Sequence, residues 1–477
     1  MKTSTACCAL ITLVLAGGVH ADTYIVDPAG NGDYLSIQTA VRWSPEGSTI
    51  AVVPGVYEGI GIDGRDTHAV TIEAVAWAPP GSVVIEGDDQ AASAIDLIEY
   101  ADVTFRGLVV RTRGENLVQV NDSNATFEGC RLEDAEGVGL TVNGESNVTF
   151  SDGVISGARR GGIEVWHITG TITVVDSLLE NNNGDVGGAI EARGWLGTKL
   201  ILRRTDFIDN HASVHGGALW VGSSQETVVI EGCRFIGNQA GTHGGAIWSG
   251  NTSLQVWDTL VSDNVAGVRG GGISLLPDRY VIQKFTNCLI TGNRAEGSAG
   301  GGVMVELFNT SCDVRFKNCE ITDNISHLDG GGVANTGLGD VELYDSLICG
   351  NLPEPASGNL YLSNTPVVDT CGVGACCLEE LCVQLTQSAC MEAAGTWHGA
   401  NIDCEKVQCT FETGACCFGS YCLLMTEWEC GQHDGLWHGP ATLCADASCE
   451  KPKPGDLDRD GKIDINDLLK LFGYWGG

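Results

Sequence analysis

Two stretches decide the fold: FIDNHASVHGGAL (207–219) and FIGNQAGTHGGAI (235–247). Their second phrase, Gly-Gly-(Ala/Gly)-aliphatic, occurs six times, starting at Gly187, Gly216, Gly244, Gly270, Gly300 and Gly330, at intervals of 29, 28, 26, 30 and 30 residues. Nine or ten residues before each aliphatic stands an asparagine: Asn181, Asn210, Asn238, Asn264, Asn293 and Asn324. Three residues before that comes an apolar side chain: Leu178, Phe207, Phe235, Val261, Ile290 and Ile321. A period of this length marks stacked coils, because one coil cannot bury its apolar side chains alone whereas neighbours can bury each other's. Within each unit are short β-rich runs, such as Thr227–Ile230 and Leu200–Leu202, punctuated by Gly, Asn and Asp. No helical periodicity of useful length competes with them. The expected fold is all-β, a parallel β-helix.

Stacking turns repeated positions into columns. The Gly pairs should supply a positive-φ turn and let the next coil's backbone come close, where a Cβ would clash. Asn181 to Asn324, continued by Asn351, should form a hydrogen-bonded ladder at a left-handed turn. Five residues earlier, Asp176, Thr205, Cys233, Thr259, Cys288, Cys319 and Ser346 are mostly small enough for a tight interior. These phrases resemble the GGAI and FxxN repeats of polymorphic outer-membrane proteins over roughly residues 178–351. That resemblance implies a right-handed β-helix and a surface-displayed passenger or adhesin. Degenerate coils precede it at Gly161-Gly162-Ile163 and Gly137-Val138-Gly139-Leu140. Before them come a strand at Thr23–Ile25, a turn at Gly30–Asp33 and a helix over Ser36–Trp43 with Ile37, Ala40 and Val41 on one face. Thr49–Val53 and Val56-Tyr57 then read as strands. This opening resembles the start of pectin-lyase-like β-helix proteins, in which a helix blocks the solenoid's exposed end.

The layout follows from composition shifts. Lys2, the apolar stretch Ala6–Val19 and the small-residue end Val19-His20-Ala21 are expected to form a secretory signal over 1–21. No other segment has the length of a membrane-spanning helix, so a secreted or cell-surface mature chain is expected. The β-helix should occupy 22–370, followed by two Cys-rich modules at 371–410 and 411–450. Their cysteines, Cys376, Cys377, Cys382, Cys390, Cys404 and Cys409, recur at a constant offset of 40. Modules this small need staples, and an oxidising destination favours disulfides over the competing zinc reading. The spacing leaves all 15 pairings per module open.

After a linker at 451–455, the segment 456–477 carries Asp456, Asp458, Asp460, Gly461, Asp464 and Asp467 at positions 1, 3, 5, 6, 9 and 12 of a calcium loop. The Lys462 carbonyl falls at position 7. Carboxylate oxygens at alternate positions wrap Ca²⁺, and Gly461 permits the bend. The segment resembles a dockerin calcium loop with a helix from about Ile465 to Phe472. The resemblance implies an assembly or anchoring tag, with a cell-surface protein as a possible partner.

With 61 acidic against 26 basic residues and a formal charge of −35, nonspecific binding to nucleic acid or anionic membrane is repelled. Directly after the aliphatic position, successive coils carry Glu164, Glu191, Trp220, Trp248, Ser274 and Met304, a column expected to face solvent. Coils about 4.8 Å apart bring Glu164 and Glu191 near the ~5 Å carboxyl separation of retaining glycosidases, which makes them the catalytic candidates. Trp220 and Trp248 are the candidates for stacking on sugar rings. His215 and His243, followed by Arg269, form another column before the Gly pairs, read as repeating turn residues. The expected function is recognition of a polysaccharide or surface glycan. A polysaccharide lyase or glycoside hydrolase is the enzymatic alternative, and a structural cell-envelope protein the third.

Overall fold

The computed structural model describes residues 22–378 apart from short loop segments, together with parts of 381–444. The expected signal segment and the calcium-loop segment with its helix lie outside the described residues. The chain divides into two compact units, Met1–Cys371 and Gly372–Gly477.

The first unit is a parallel β-helix. Three long parallel sheets of 14, 13 and 12 strands run along it, with a fourth of six short strands. One coil visits all four in the order Thr171–Val175, Leu178–Glu180, Asn183–Val186 and Ile190–Arg193, and the next begins at Lys199–Arg203. Coils stack in register, so Ile172 lies beside Leu200, Leu179 beside Phe207 and Ile190 beside Leu219. The repeated aliphatics point inward as expected: Ile190, Leu219, Ile247, Ile273, Val303 and Val333 are all fully buried. Phenylalanines at like positions stack along the core, Phe207 on Phe235 at 4.5 Å and Phe285 on Phe316 at 4.7 Å between centroids.

The asparagine ladder is present, displaced by one residue at its start. It runs Asn182, Asn210, Asn238, Asn264, Asn293, Asn324 and Asn351, all buried, so Asn181 is not a member. Each Nδ2 donates to the next Oδ1 at 2.8–3.0 Å. That same Oδ1 also accepts the preceding ladder residue's backbone N–H, and Nδ2 reaches back to a carbonyl, as Asn210 does to Leu179. A buried amide is tolerated because its polar atoms are satisfied in this way. The left-handed turn falls at Asn181 as expected, but from Asn210 onward it belongs one residue earlier than expected. Asn181, Asp209, Gly237, Asp263, Gly292, Asp323 and Gly350 have φ between +51° and +67°, and the ladder side chains point inward from the following residue. The same displacement puts Ser177, not Asp176, in the column of small residues. Ser177, Thr205, Cys233, Thr259, Cys288, Cys319 and Ser346 each donate a hydroxyl or thiol to the carbonyl two residues back.

The Gly pairs do both jobs expected of them. Gly216 and Gly244 have φ of +62° and +66°. A Cβ on Gly217 would sit 2.1 Å from the Gly245 carbonyl oxygen, and one on Gly245 would sit 2.0 Å from that of Gly271. At the N-terminal end, Ile37–Trp43 forms a helix capped by the Ser36 side chain and buries Ile37, Ala40 and Val41. Its Gln38 amide accepts from the Gly61 N–H and donates to the Gly61 carbonyl, both at 2.9 Å, satisfying the edge strand Ile60–Asp63.

The second unit contains two three-stranded antiparallel sheets, one from each Cys-rich repeat. Cys376–Cys390, Cys377–Cys409 and Cys382–Cys404 staple the first, and Cys422–Cys444 reproduces the last of these 40 residues on. The sulfurs of Cys377, Cys382 and Cys409 lie within 4.8 Å of one another, but all are in disulfides and supply no thiolate for zinc.

Substitution Gly217→Val or Gly245→Val should lower the thermal midpoint of the folded protein sharply, since the new side chain must displace the neighbouring coil's backbone. Wild-type melting in either variant, measured by circular dichroism, would contradict the close approach.

Candidate functional site

The register brings the expected column together in order: Glu164 beside Glu191, Glu191 beside Trp220, Trp220 beside Trp248, then Ser274 and Met304. The expectation that this column faces solvent is corrected by burial. Glu191 is only 4% exposed, Ser274 and Met304 are buried, and Met304 joins Ala299 and Ala334 in a small apolar cluster outside the main core. The cause is the turn that precedes each strand. Its left-handed glycine doubles the chain back onto the outer side of the sheet, so that a Cβ on Gly270 would sit 2.9 Å from the Ser274 Cβ. The residue before each Gly pair then forms a facing wall, with Val186 paired to His215, His215 to His243 and His243 to Arg269. The Glu/Trp and His/Arg columns are therefore two sides of one site. It is most open from Glu164 to Trp248, where Glu164, Trp220 and Trp248 stay partly exposed.

The aromatic rings stack within this site. Trp220 and Trp248 are parallel within 1°, with centroids 5.2 Å apart. Arg193 places its guanidinium 4.4 Å from the Trp166 ring centroid and 5.6 Å from that of Trp220. His215 stacks on Trp248 at 5.4 Å and on His243 at 4.8 Å. The indole faces are thus engaged by protein neighbours, not open as expected for sugar stacking. Gly222 and Gly250 make room for the indoles, since a Cβ there would lie 2.4 Å from Trp220 and 2.9 Å from Trp248 ring atoms.

Burial pushes the Glu164 carboxyl above its ordinary range, against the Trp166 indole N–H, which donates to it at 3.1 Å, and nearby Arg160 and Arg193. Burial raises Glu191 as well, outweighing its ion pair with Arg193, and repulsion from Glu164 and Asp185 adds a smaller push in the same direction. Two carboxyls on adjacent strands therefore both hold their protons to higher pH than free carboxyls, and Glu164 is the more accessible. On the facing wall, burial first, then Arg269 and His215, push His243 down to about 4. Arg269 Nε donates to His243 Nε2 at 3.2 Å and its guanidinium pairs with Glu306. Trp248 Nε1 and Ser274 Oγ are buried without a hydrogen-bond partner, leaving polar atoms for a ligand or water. Trp166, Arg193 and Asp185 escaped the sequence reading. The first two sit two residues beyond Glu164 and Glu191 on the same strand face, a signal that was legible, whereas Asp185 reaches the site from the fourth sheet. The metal candidates Asp456, Asp458, Asp460, Lys462, Asp464 and Asp467 lie outside the described residues.

A family described as right handed beta helix region matches residues 93–266, and the fold is accordingly a right-handed parallel β-helix. No curated protein matches the chain. Among solved structures it is similar to tailspike protein 3 of bacteriophage CBA120, at 13% identity and a TM-score of 0.43, covering 70% of this chain and 58% of that one. It is also similar to the catalytic unit of a GH87 alpha-1,3-glucanase from Streptomyces thermodiastaticus, at 13% identity and 0.43, covering 74% and 70%. The pectate lyase Pel9A matches at 14% identity and 0.32, covering 72% and 78%. The chain thus spans less than two thirds of the tailspike's length. Among the described residues no helix is long and apolar enough to cross a membrane.

The lowered His243 value carries a pH dependence. A histidine whose folded pKa lies below its unfolded one contributes stability that is present above the unfolded value, 6.5, and lost as pH falls through the folded value, about 4. The thermal midpoint should therefore fall between those limits, and His243→Gln should flatten that part of the curve. A curve unchanged by the substitution would show that His243 is not held neutral.

Proposed function

We propose that this chain is a secreted or cell-surface β-helix protein that recognises a polysaccharide or surface glycan along the row from Glu164 to Trp248. The observation that carries this reading is the row itself. Four successive coils present carboxyl, carboxyl, indole and indole in strict register, backed by Arg193 and faced by His215 and His243. Such a row offers hydrogen-bond donors and apolar ring edges at the spacing of the coils, parallel to the solenoid axis, which suits an extended polymer. Stacked neighbours fix the side chains before binding, which reduces the ordering cost of association. Glycoside hydrolysis is the second reading, favoured by the pairing of Glu164 and Glu191 on adjacent strands with burial pushing both carboxyls upward.

Trp220→Ala combined with Trp248→Ala should weaken binding to the glycan found by array screening at least about tenfold, a loss of about 1.4 kcal/mol. Glu164→Gln should leave that affinity within a factor of about three, while abolishing any release of reducing ends from the same polymer. Unchanged affinity in the double tryptophan variant would remove the row as the binding site.

The C-terminal segment is the second part of the proposal: Asp456, Asp458, Asp460, Lys462, Asp464 and Asp467 hold one Ca²⁺ and form an assembly or anchoring tag. Without metal these carboxylates repel one another, and a helix this short has little stability of its own. Calorimetry on the full chain should detect a calcium site that disappears in Asp456→Ala and Asp460→Ala. An identical isotherm for both variants and the wild type would refute it.

A further inference from the structure

The outer face of the 14-stranded sheet carries a separate cleft of about 420 Å³, whose lining includes Lys284, Thr286, Arg315, Lys317, Tyr344 and Asp345. Its residues come from three successive coils: Lys284 pairs with Arg315, Thr286 with Lys317, and Lys317 with Tyr344. The solenoid is poor in lysine. Between residues 22 and 370 the chain has Lys199, Lys284 and Lys317, against a formal charge of −35 for the whole protein. Two of these three stand on adjacent coils of one cleft.

The third cation there is already neutralised. Arg315 Nε lies 2.7 Å from Asp313 and 2.6 Å from Glu342. Lys284 feels only the attraction of Asp313, which Arg315 already holds, Lys317 has no ion pair among the described residues, and the other nearby carboxylate, Asp345, accepts from the Asn364 amide at 2.8 Å. Aromatic rings flank the lysines. Trp257 sits beside Thr286 on the preceding coil, and Tyr344, its hydroxyl donating to Glu342 at 3.0 Å, packs at a tilt against Tyr361 with centroids 5.9 Å apart. Two exposed ammonium groups in a cleft that Tyr344 also lines can take an anionic group carried on a ring whose C–H face packs on an aromatic.

We propose that this cleft binds a uronic-acid unit of a polysaccharide, with Lys284 and Lys317 holding its carboxylate and Tyr344 supporting the sugar ring. This rests on the glycan-recognition reading but concerns a different sheet and adds the charge class of the ligand. One carboxylate matches the cleft, because the remaining charges there are paired and the protein's overall negative field opposes a densely charged polyanion.

The test is calorimetry on the full chain at low ionic strength with two probes. One is a xylo-oligosaccharide bearing a single glucuronate, the other the same oligosaccharide with its carboxyl reduced to an alcohol. The acidic probe should bind at least about tenfold more tightly, and added salt should narrow the difference. Lys284→Ala with Lys317→Ala should bring the ratio to about one, and Lys284→Arg with Lys317→Arg should retain most of it, since charge is what the site reads. Both lysines are exposed, so these variants should fold. The ratio should not change in Trp220→Ala with Trp248→Ala, which tests the other face. Equal binding of both probes by the wild type, or a preference that survives loss of both lysines, overturns the inference while leaving glycan recognition standing. Failure of the wild type to bind either probe overturns it as well. Tighter binding of sulfated dextran, lost in the same lysine variant, would reassign the cleft from carboxylate to sulfate.

Discussion

Everything in the solenoid depends on how closely one coil can lie on the next, and in the coils that carry the repeated phrases that distance is held by the buried amide ladder from Asn182 to Asn351. Each inner rung accepts two hydrogen bonds and donates one along the axis and one back to a carbonyl. No other uncharged side chain of that length satisfies the same set of donors and acceptors, so a rung exchanged for an apolar residue would leave its neighbours' polar atoms unpaired in the core. The second glycine of each Gly pair meets the same constraint from the other side. Where the ladder draws the coils together, the Gly217 and Gly245 backbones lie too close to the next carbonyl for any Cβ.

The site is a by-product of that packing. The first glycine of each pair turns left-handed and folds the chain back onto the outside of the sheet, and so a column that strand alternation alone would expose becomes one wall of a groove. Large residues on this column meet that wall: Trp248 stacks on His215, and Met304 packs on Ala299. Small ones such as Ser274 are sealed beneath it. Burial is also what raises Glu164 and Glu191 and lowers His243, so the chemistry of the groove follows from the turn geometry as much as from the residues.

The second unit obeys a different rule. Its small antiparallel sheets have too little apolar area to hold themselves together, and the adjacent cysteines on the first strand of each sheet anchor the staples. Cys376 and Cys377 point to opposite sides of their strand, as neighbouring residues must, so one bond goes to Cys390 and the other to Cys409. The pairing of Cys382 with Cys404, repeated by Cys422 with Cys444, shows the 40-residue repeat preserved in three dimensions.

The coil period, the inward aliphatics, the strand register of Glu164, Glu191, Trp220 and Trp248 and the N-terminal helix were all legible in the sequence. Each is set by local periodicity and by side-chain size, which a linear reading captures. The ladder's first member was misread because Asn181 and Asn182 are adjacent and only the backbone reveals which one turns left-handed and which points inward. The direction in which the indoles point, the meeting of the histidine and tryptophan columns, the arrival of Asp185 and the meeting of Lys284 and Lys317 in one cleft were decided by the tertiary structure alone. These depend on how far each turn folds over the neighbouring sheet and on which charges end within reach across coils. Neither quantity is written in spacing along the chain.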